Sequence, residues 1–211
     1  MSQIPAYVGP VLLLSAVIFS AFRLGRHRPL WRWGALMTCS AVMLMKVGGI
    51  PLAGYVRAAS GDLSITTLIL LVGLLWRHLS GKGLLSDKDR AAALAFIALG
   101  GLLLYPMTLG MTPFDPYRLG FASRPMCLVL LALAVWGGFV RRGAAIIIPV
   151  AVLAFNLQVL ESSNLWDYLI DPWVTAYAWG WLLVQPGAAT QAALRRIWRS
   201  RATREQEDAG Q

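Results

Sequence analysis

Charged side chains are scarce in this sequence. Only 14% of the 211 residues are Asp, Glu, Lys or Arg, whereas an ordinary soluble domain carries about 25%. Hydrophobic residues make up 57% of the chain, which is more than a soluble fold of this length can bury. The same apolar content excludes intrinsic disorder. The composition therefore predicts a chain that is solvated by lipid.

Histidine and cysteine occur only twice each. His27 and His78 lie in basic segments between the apolar runs, so no histidine is expected at membrane depth to bind haem. The H-E-x-x-H signature of zinc hydrolases, the G-x-S-x-G elbow and the Walker loop are also missing. Cys39 and Cys127 fall in separate apolar runs and are interpreted as packing residues. The sequence predicts neither a metal nor a cofactor.

Seven apolar runs make up most of the chain. They comprise residues 4–22, 34–52, 63–76, 91–109, 125–140, 143–160 and 172–184. Because a bilayer crossing takes about 20 apolar residues, the runs predict an all-α, polytopic transmembrane helical bundle with seven spans. Two of them, 63–76 and 172–184, are short, so a six-span bundle with one re-entrant segment is the alternative. A single domain over residues 1–187 would hold the whole bundle.

Basic residues are unevenly distributed between these runs. Fifteen of the 19 lysines and arginines lie in the breaks 23–33, 77–90 and 141–142 and in the tail after residue 187. With seven spans these segments share one side, and the positive-inside rule predicts an outside N-terminus and a cytoplasmic C-terminus. The first run has no positive charge before Arg23, which favours a retained span over a cleaved signal. Arginine outnumbers lysine 16 to 3, a bias typical of GC-rich bacterial genomes, so the expected location is a bacterial inner membrane.

Residues 188–211 predict a basic, amphipathic cytoplasmic tail. Its apolar side chains recur at helical spacing and arginines fill the remaining surface, a pattern typical of a helix on an anionic leaflet. Binding a cytoplasmic partner is the alternative. The arginines expected to contact lipid are Arg195, Arg196, Arg199 and Arg201. The net charge of +9 is thereby assigned to orientation and lipid contact, and no nucleic-acid partner is predicted.

Three glycine doublets occur within or at the ends of the apolar runs, at residues 48–49, 100–101 and 137–138. Small residues let transmembrane helices approach closely. The doublets therefore predict close helix packing, with a hinge as the alternative.

Two outward segments repeat one short pattern. Residues 114–117 and 170–173 both read apolar, Asp, Pro, aromatic. Aspartate is a favoured N-cap and proline a favoured first helical residue, so each copy predicts a helix start. Asn164, with Asp167 three residues later, resembles a capping box.

The same outward segments contain the candidate functional residues. Carboxylates beside aromatic rings suit sugars, and basic side chains suit phosphate. The candidate catalytic residues are Asp115, Asp167 and Glu161. The candidate substrate-binding residues are Lys46, Arg118, Arg124, Trp166, Tyr168 and Asp171. Lys46, expected inside the second span, is costly there and predicts either a pair with Glu161 or helix pairing.

Three functions fit these features. The first is an accessory or scaffolding subunit of a cell-envelope lipid or glycan assembly, with a membrane protein as partner. The second is a small enzyme acting on a phosphorylated lipid or lipid-linked sugar at the outer face, in which Asp115 and Asp167 act as acid and base or hold a divalent cation. The third is a lipid-binding or flipping module. The lack of a recognisable catalytic set favours the accessory subunit, and the lack of ionisable residues near the midplane argues against ion-coupled transport.

Overall fold

A computed structural model describes residues 4–121, 124–140 and 142–184. The structure is 79% helical, and the strands among the described residues form one two-residue pair. The expectation of an all-α chain is therefore confirmed. The tail at residues 188–211, with Arg195, Arg196, Arg199 and Arg201, lies outside the described residues, as does the side chain of Arg124.

Ten helices and three short turns follow one another along the described chain. The first half contains α1 (Ile4–Ala21), a 3₁₀ turn (Leu24–Arg26), α2 (Pro29–Leu44), β1 (Lys46–Val47), β2 (Ile50–Pro51), α3 (Leu52–Ser60) and α4 (Ile65–Ser80). The second half contains α5 (Asp87–Pro106), a wide π turn (Met107–Met111), a 3₁₀ turn (Pro116–Gly120), α6 (Arg124–Val140), α7 (Arg142–Ala145), α8 (Ile147–Asn156) and α9 (Leu165–Leu169). Residues 172–184 are also helical and are called α10.

The prediction of seven transmembrane spans is wrong. Among the described residues only one helix is long and apolar enough to cross a membrane, judged by length and composition. It consists of α5 and the π turn that continues it, Asp87–Met111. It has 25 residues, and its most apolar 18-residue stretch has a mean hydropathy of 1.9. The other apolar helices, counted over residues with described side chains, are 10–17 residues long. At about 1.5 Å per residue they fall short of a hydrocarbon core of about 30 Å.

The six-span alternative is wrong for the same reason, because it also needs more long apolar helices than the described residues contain. The predicted orientation depends on the same count of crossings. A continuous apolar run measures hydropathy, and a helix can end inside it wherever a turn satisfies the backbone. The run 143–160 shows this, because it divides into α7 and α8 and its helix ends at Asn156. The structure therefore gives no support to an outside N-terminus or a cytoplasmic C-terminus.

The second apolar run is interrupted by a hairpin. Lys46 lies opposite Pro51 and Val47 opposite Ile50. Gly48 and Gly49 have φ angles of 60° and 84°, a left-handed conformation that favours glycine in two-residue hairpin turns. Lys46 is consequently exposed on a hairpin instead of embedded in a helix, so the expected pairing within a span is wrong.

Two apolar clusters form the core. The larger one joins α4, α5, α6, α8, α9 and α10 around Leu94, Ile97, Ala151 and Leu169. The smaller one connects helix α1 with helix α4 through Phe19 and Leu75. Both clusters pack on α4, which therefore connects the two halves of the described chain.

The glycine doublet in α5 gives the close packing that the sequence predicts. A Cβ atom on Gly100 would lie 2.6 Å from Ile170 Cδ1, and one on Gly101 would lie 2.3 Å from Thr175 Cγ2. A larger residue at either position would push α5 away from the start of α10.

Candidate functional site

The segments that follow α5 and α8 dock on each other. The Asn164 amide donates a hydrogen bond of 3.0 Å to the Tyr117 carbonyl, and the Trp166 indole donates one of 2.9 Å to the Pro116 carbonyl. Gly120 is required at this junction, because a Cβ atom there would lie 1.7 Å from Asn164 Oδ1. The two segments that the sequence analysis singles out therefore form one structural unit.

Three polar residues cap the helical segments that start in or directly after this unit, as the sequence predicts. Asp115 accepts a hydrogen bond from Tyr117 N at 2.9 Å, and Asn164 accepts one from Trp166 N at 2.9 Å. Asp171 Oδ1 accepts one from Val174 N at 2.9 Å. The capping box is only half formed, because Asn164 N donates to Ser162 Oγ and the Asp167 carboxylate points elsewhere.

Asp171 also connects two helices that are distant in the sequence. Its second oxygen, Oδ2, accepts hydrogen bonds from Ser64 N at 3.0 Å and from the Thr67 hydroxyl. Both donors belong to the start of α4, so one carboxylate, only 4% exposed, lies at the N-termini of α4 and α10. A negative charge is favourable at both positions, because the N-terminal ends of helices carry positive partial charge.

A cavity of about 270 Å³ lies between the end of α5 and the docked segments. Its polar lining consists of Asp62, Tyr105, Thr108, Tyr117, Ser162, Asp167 and Asp171. Leu104, Leu160, Ile170 and Pro172 supply the apolar part. No basic side chain of the described residues lines this space, called the polar cavity below.

Asp167 is held in the polar cavity by two hydroxyl groups. The Tyr117 phenol donates to both carboxylate oxygens, at 2.9 and 3.1 Å, and the Ser162 hydroxyl donates to Oδ2. Burial, together with the neighbouring Asp167 carboxylate, raises the pKa of Tyr117 to about 12. The phenol therefore stays protonated at neutral pH and remains a donor to Asp167.

Trp166 and Tyr168 do not line the polar cavity. The Tyr168 hydroxyl donates to the Leu160 carbonyl at 3.0 Å and accepts from Leu160 N at 3.1 Å. Its ring is fully buried and packs edge-on against Phe155 at a centroid distance of 5.3 Å. Burial raises the pKa of Tyr168 above its ordinary value. Both aromatic candidates therefore hold the docked segments in position.

Arg57, which the sequence analysis does not single out, provides the main ion pairs near the cavity. Its guanidinium binds both oxygens of Asp62, with Nε–Oδ1 at 2.7 Å and Nη2–Oδ2 at 3.1 Å. It also binds Glu161 Oε1 at 2.8 Å. The hydrogen bonds that Arg57 donates to Asp62 and Glu161 raise the pKa of Arg57 above its ordinary value. Glu161 thus pairs with Arg57 and not with Lys46. The sequence signal for an ion pair of Arg57 is its position five residues before Asp62.

A second, open cavity of about 420 Å³ surrounds this arginine and shares Asp62 with the polar cavity. The remaining predicted residues lie outside both cavities. Lys46 and Arg118 are exposed, and Asp115 is used as a cap. No group of three or more His, Cys, Asp or Glu within the described ranges is arranged to hold a metal ion.

No protein-family model, curated protein or solved structure matches this chain. The polar cavity itself therefore indicates what the protein can bind. It presents carboxylate oxygens already oriented by protein donors, together with phenol and aliphatic hydroxyl groups. Such a lining suits a ligand with several hydroxyl groups, which can donate to the carboxylates and accept from the hydroxyls.

Proposed function

We propose that this chain is a small membrane protein of the bacterial inner membrane, an accessory subunit of a cell-envelope assembly that holds the sugar headgroup of a lipid-linked substrate. The observation that supports this most is the polar cavity, in which Asp62, Asp167 and Asp171 occur together with Tyr105 and Tyr117. Sugar hydroxyls pair well with carboxylates, and aromatic rings pack against sugar faces.

The charge of the polar cavity favours a sugar over a phosphate. Three carboxylates line it, and the nearby Arg57 is already neutralised by Asp62 and Glu161. A phosphate in this space would be repelled by the carboxylates, because no basic side chain of the described residues lines it to compensate. The phosphate of a lipid-linked sugar would therefore lie outside it, towards the headgroup layer.

The role of holding a ligand follows from how fully the carboxylates are engaged. Asp62 is bound by Arg57, Asp167 by Tyr117 and Ser162, and Asp171 by three donors. Donors that already bind a carboxylate hold its oxygens in fixed positions, where the remaining lone pairs can accept hydrogen bonds from a ligand. The arrangement therefore suits recognition of a ligand that donates hydrogen bonds.

An enzymatic function is the second candidate, and one observation favours it. Asp167 lines the cavity and has two hydroxyl groups on it, from Tyr117 and Ser162. A carboxylate in this position can accept a proton from a bound water or from a ligand hydroxyl. The two candidates differ in whether the bound lipid-linked sugar is converted.

One binding experiment separates these functions. The full chain in lipid nanodiscs is mixed with a polyprenyl phosphate that carries one sugar, or with the sugar-free polyprenyl phosphate, and bound lipid is counted by native mass spectrometry. The wild type should prefer the sugar-bearing lipid and leave it intact, and Asp167→Asn should lose the preference. Asp115→Asn is the matched control, because Asp115 caps a turn outside the cavity. Equal binding of both lipids would refute the proposal, and conversion of the sugar that Asp167→Asn abolishes would favour the enzyme.

The accessory role also implies a membrane protein partner. Purification of the tagged chain in a gentle detergent should recover an envelope protein in a fixed ratio. A monodisperse chain on its own under the same conditions would count against a subunit and leave a stand-alone binding protein.

A further inference from the structure

A further cavity, almost entirely apolar, lies between α5 and α6. It has a volume of about 350 Å³, and Ala92, Phe96 and Leu99 of α5 face Leu133 and Trp136 of α6 across it. We call this space the apolar groove. Among the described residues that line the groove, Thr66 and Trp136 alone carry a polar side-chain group. The groove therefore offers little to a ligand that needs hydrogen bonds.

The groove is partly open to the protein surface. It extends from Ala92 to Leu99 on α5, a distance of about 10 Å at the helical rise. Its floor is buried, with Ile147 only 4% exposed, whereas Trp136 on its rim is 66% exposed. Alanine and glycine residues in the lining leave the space open between the two helices, because a methyl group or a hydrogen atom is too small to fill it.

The position of the groove indicates which apolar ligand reaches it. One wall belongs to Asp87–Met111, the described helix that is long and apolar enough to cross a membrane. In a bilayer the open side of the groove therefore faces the lipid tails. A flexible hydrocarbon chain matches its lack of polar groups.

Charge at one end of the groove indicates the headgroup. Helix α5 starts next to the start of α7, since a Cβ atom on Gly143 would lie 2.6 Å from Asp89 Oδ2. Among the described residues, four basic side chains and two acidic ones occur at this end. The basic residues are Arg77, Lys88, Arg90 and Arg142, and the acidic ones are Asp87 and Asp89. Arg77 binds Asp87 at 2.8 Å, so an excess of positive charge is left for an anionic headgroup.

We infer that the apolar groove binds one acyl chain of an anionic membrane phospholipid, whose headgroup lies at the basic starts of α5 and α7. This inference does not rest on the sugar-binding proposal. The polar cavity uses Tyr105 and Thr108, beyond the other end of the groove on the same helix.

Photolabelling tests the inference directly. The full chain is reconstituted in vesicles that contain phosphatidylglycerol with a diazirine in its acyl chain, and labelled residues are mapped by mass spectrometry. Phe96, Leu133 and Trp136 should be labelled more than Phe139, which is 87% exposed and lies outside the groove. Ala95→Trp fills the groove and should remove this excess. Ala132→Trp, the same change at an exposed position outside the groove, should keep it.

Three results would overturn the inference. They are equal labelling of Phe139 and the groove residues, unchanged labelling in a folded Ala95→Trp variant, and equal labelling from phosphatidylcholine with the same chain. If Ala95→Trp fails to fold, competition of the wild type by unlabelled phosphatidylglycerol decides, because a specific site is competed and general contact with lipid is not. Asp167→Asn should leave the labelling unchanged, which separates this site from the polar cavity.

Discussion

The aspartates of the docked segments differ in what their oxygens bind. Asp115 accepts one backbone N–H in its own turn, and Asp171 accepts donors from two helices. Asp167 accepts only side-chain hydroxyls and lines the polar cavity. The first two are explained by structure alone, so the functional hypothesis at the residue scale concerns Asp167.

Asp171→Ser tests the double role of that carboxylate. Serine can still cap α10 but cannot reach Ser64 N and Thr67 as well, which leaves a buried donor without an acceptor. We expect a loss of about 1–3 kcal/mol in the free energy of unfolding, measured by thermal denaturation in detergent. Asp115→Ser should change stability by less than about 0.5 kcal/mol, because serine replaces its single capping bond. Equal small effects at the two positions would show that the link to α4 contributes nothing.

The Tyr117 phenol gives a pH dependence. Its pKa is about 12 in the folded chain, against an ordinary value of 10.0. Between these values the unfolded chain has released the phenolic proton and the folded chain still holds it, so stability falls as pH rises. Unfolding measured at alkaline pH should show a shallower fall for Tyr117→Phe than for the wild type. Identical slopes would contradict the raised pKa.

Local patterns were sufficient to predict the caps, because an Asp-Pro pair acts on the backbone next to it. The interactions that build the site could not be predicted in this way. Asp171 meets Ser64 across 107 positions of the sequence, and the Tyr117 hydroxyl meets Asp167 across 50. Such pairs depend on how the helices pack, which periodicity does not reveal.

At the scale of elements, the same dipeptide has two different roles. Gly48-Gly49 forms a hairpin turn with positive φ angles, whereas Gly100-Gly101 lets α10 approach α5. The composition of the doublets is identical, so only their surroundings distinguish them. This explains why the second apolar run was wrongly interpreted as one helix while the position of α5 was predicted well.

Gly101→Ala should destabilise the fold through the contact between α5 and α10. The added methyl group would lie 2.3 Å from Thr175 Cγ2, and relief of such overpacking costs about 1–3 kcal/mol. Gly138→Ala is the matched control, because its added methyl group meets no atom within 4 Å. That change should be neutral or stabilise helix α6 by up to about 1 kcal/mol. Thermal unfolding of both variants in one detergent measures the difference, and an equal response would argue against close packing at Gly101.

At the scale of the whole molecule, hydropathy predicted the all-α class but not the number of crossings. Most apolar helices of the described residues are shorter than a bilayer is thick, yet the helices leave large apolar side chains on the surface. Phe139, Leu183 and Leu109 are 87%, 81% and 78% exposed. Apolar surface of this kind is usual at membrane and protein interfaces. We propose that lipid and a membrane protein partner cover it.

The location is tested by extraction. The chain should stay with the membrane pellet in alkaline carbonate and be released by detergent, because its exposed apolar side chains favour lipid over water. A chain held at the membrane surface only by its charge would be released from the pellet by high salt. Release of the full chain by salt or carbonate would contradict an integral location.

Hydrogen–deuterium exchange of the full chain in nanodiscs tests the central claim, which is that the polar cavity holds the sugar of a lipid-linked substrate. The polyprenyl phosphate carrying one sugar should slow exchange in residues 112–121 and 160–171, where the docked segments line the cavity. The sugar-free lipid should leave those residues unchanged. Equal protection by both lipids, or protection absent from these two segments, would contradict the account.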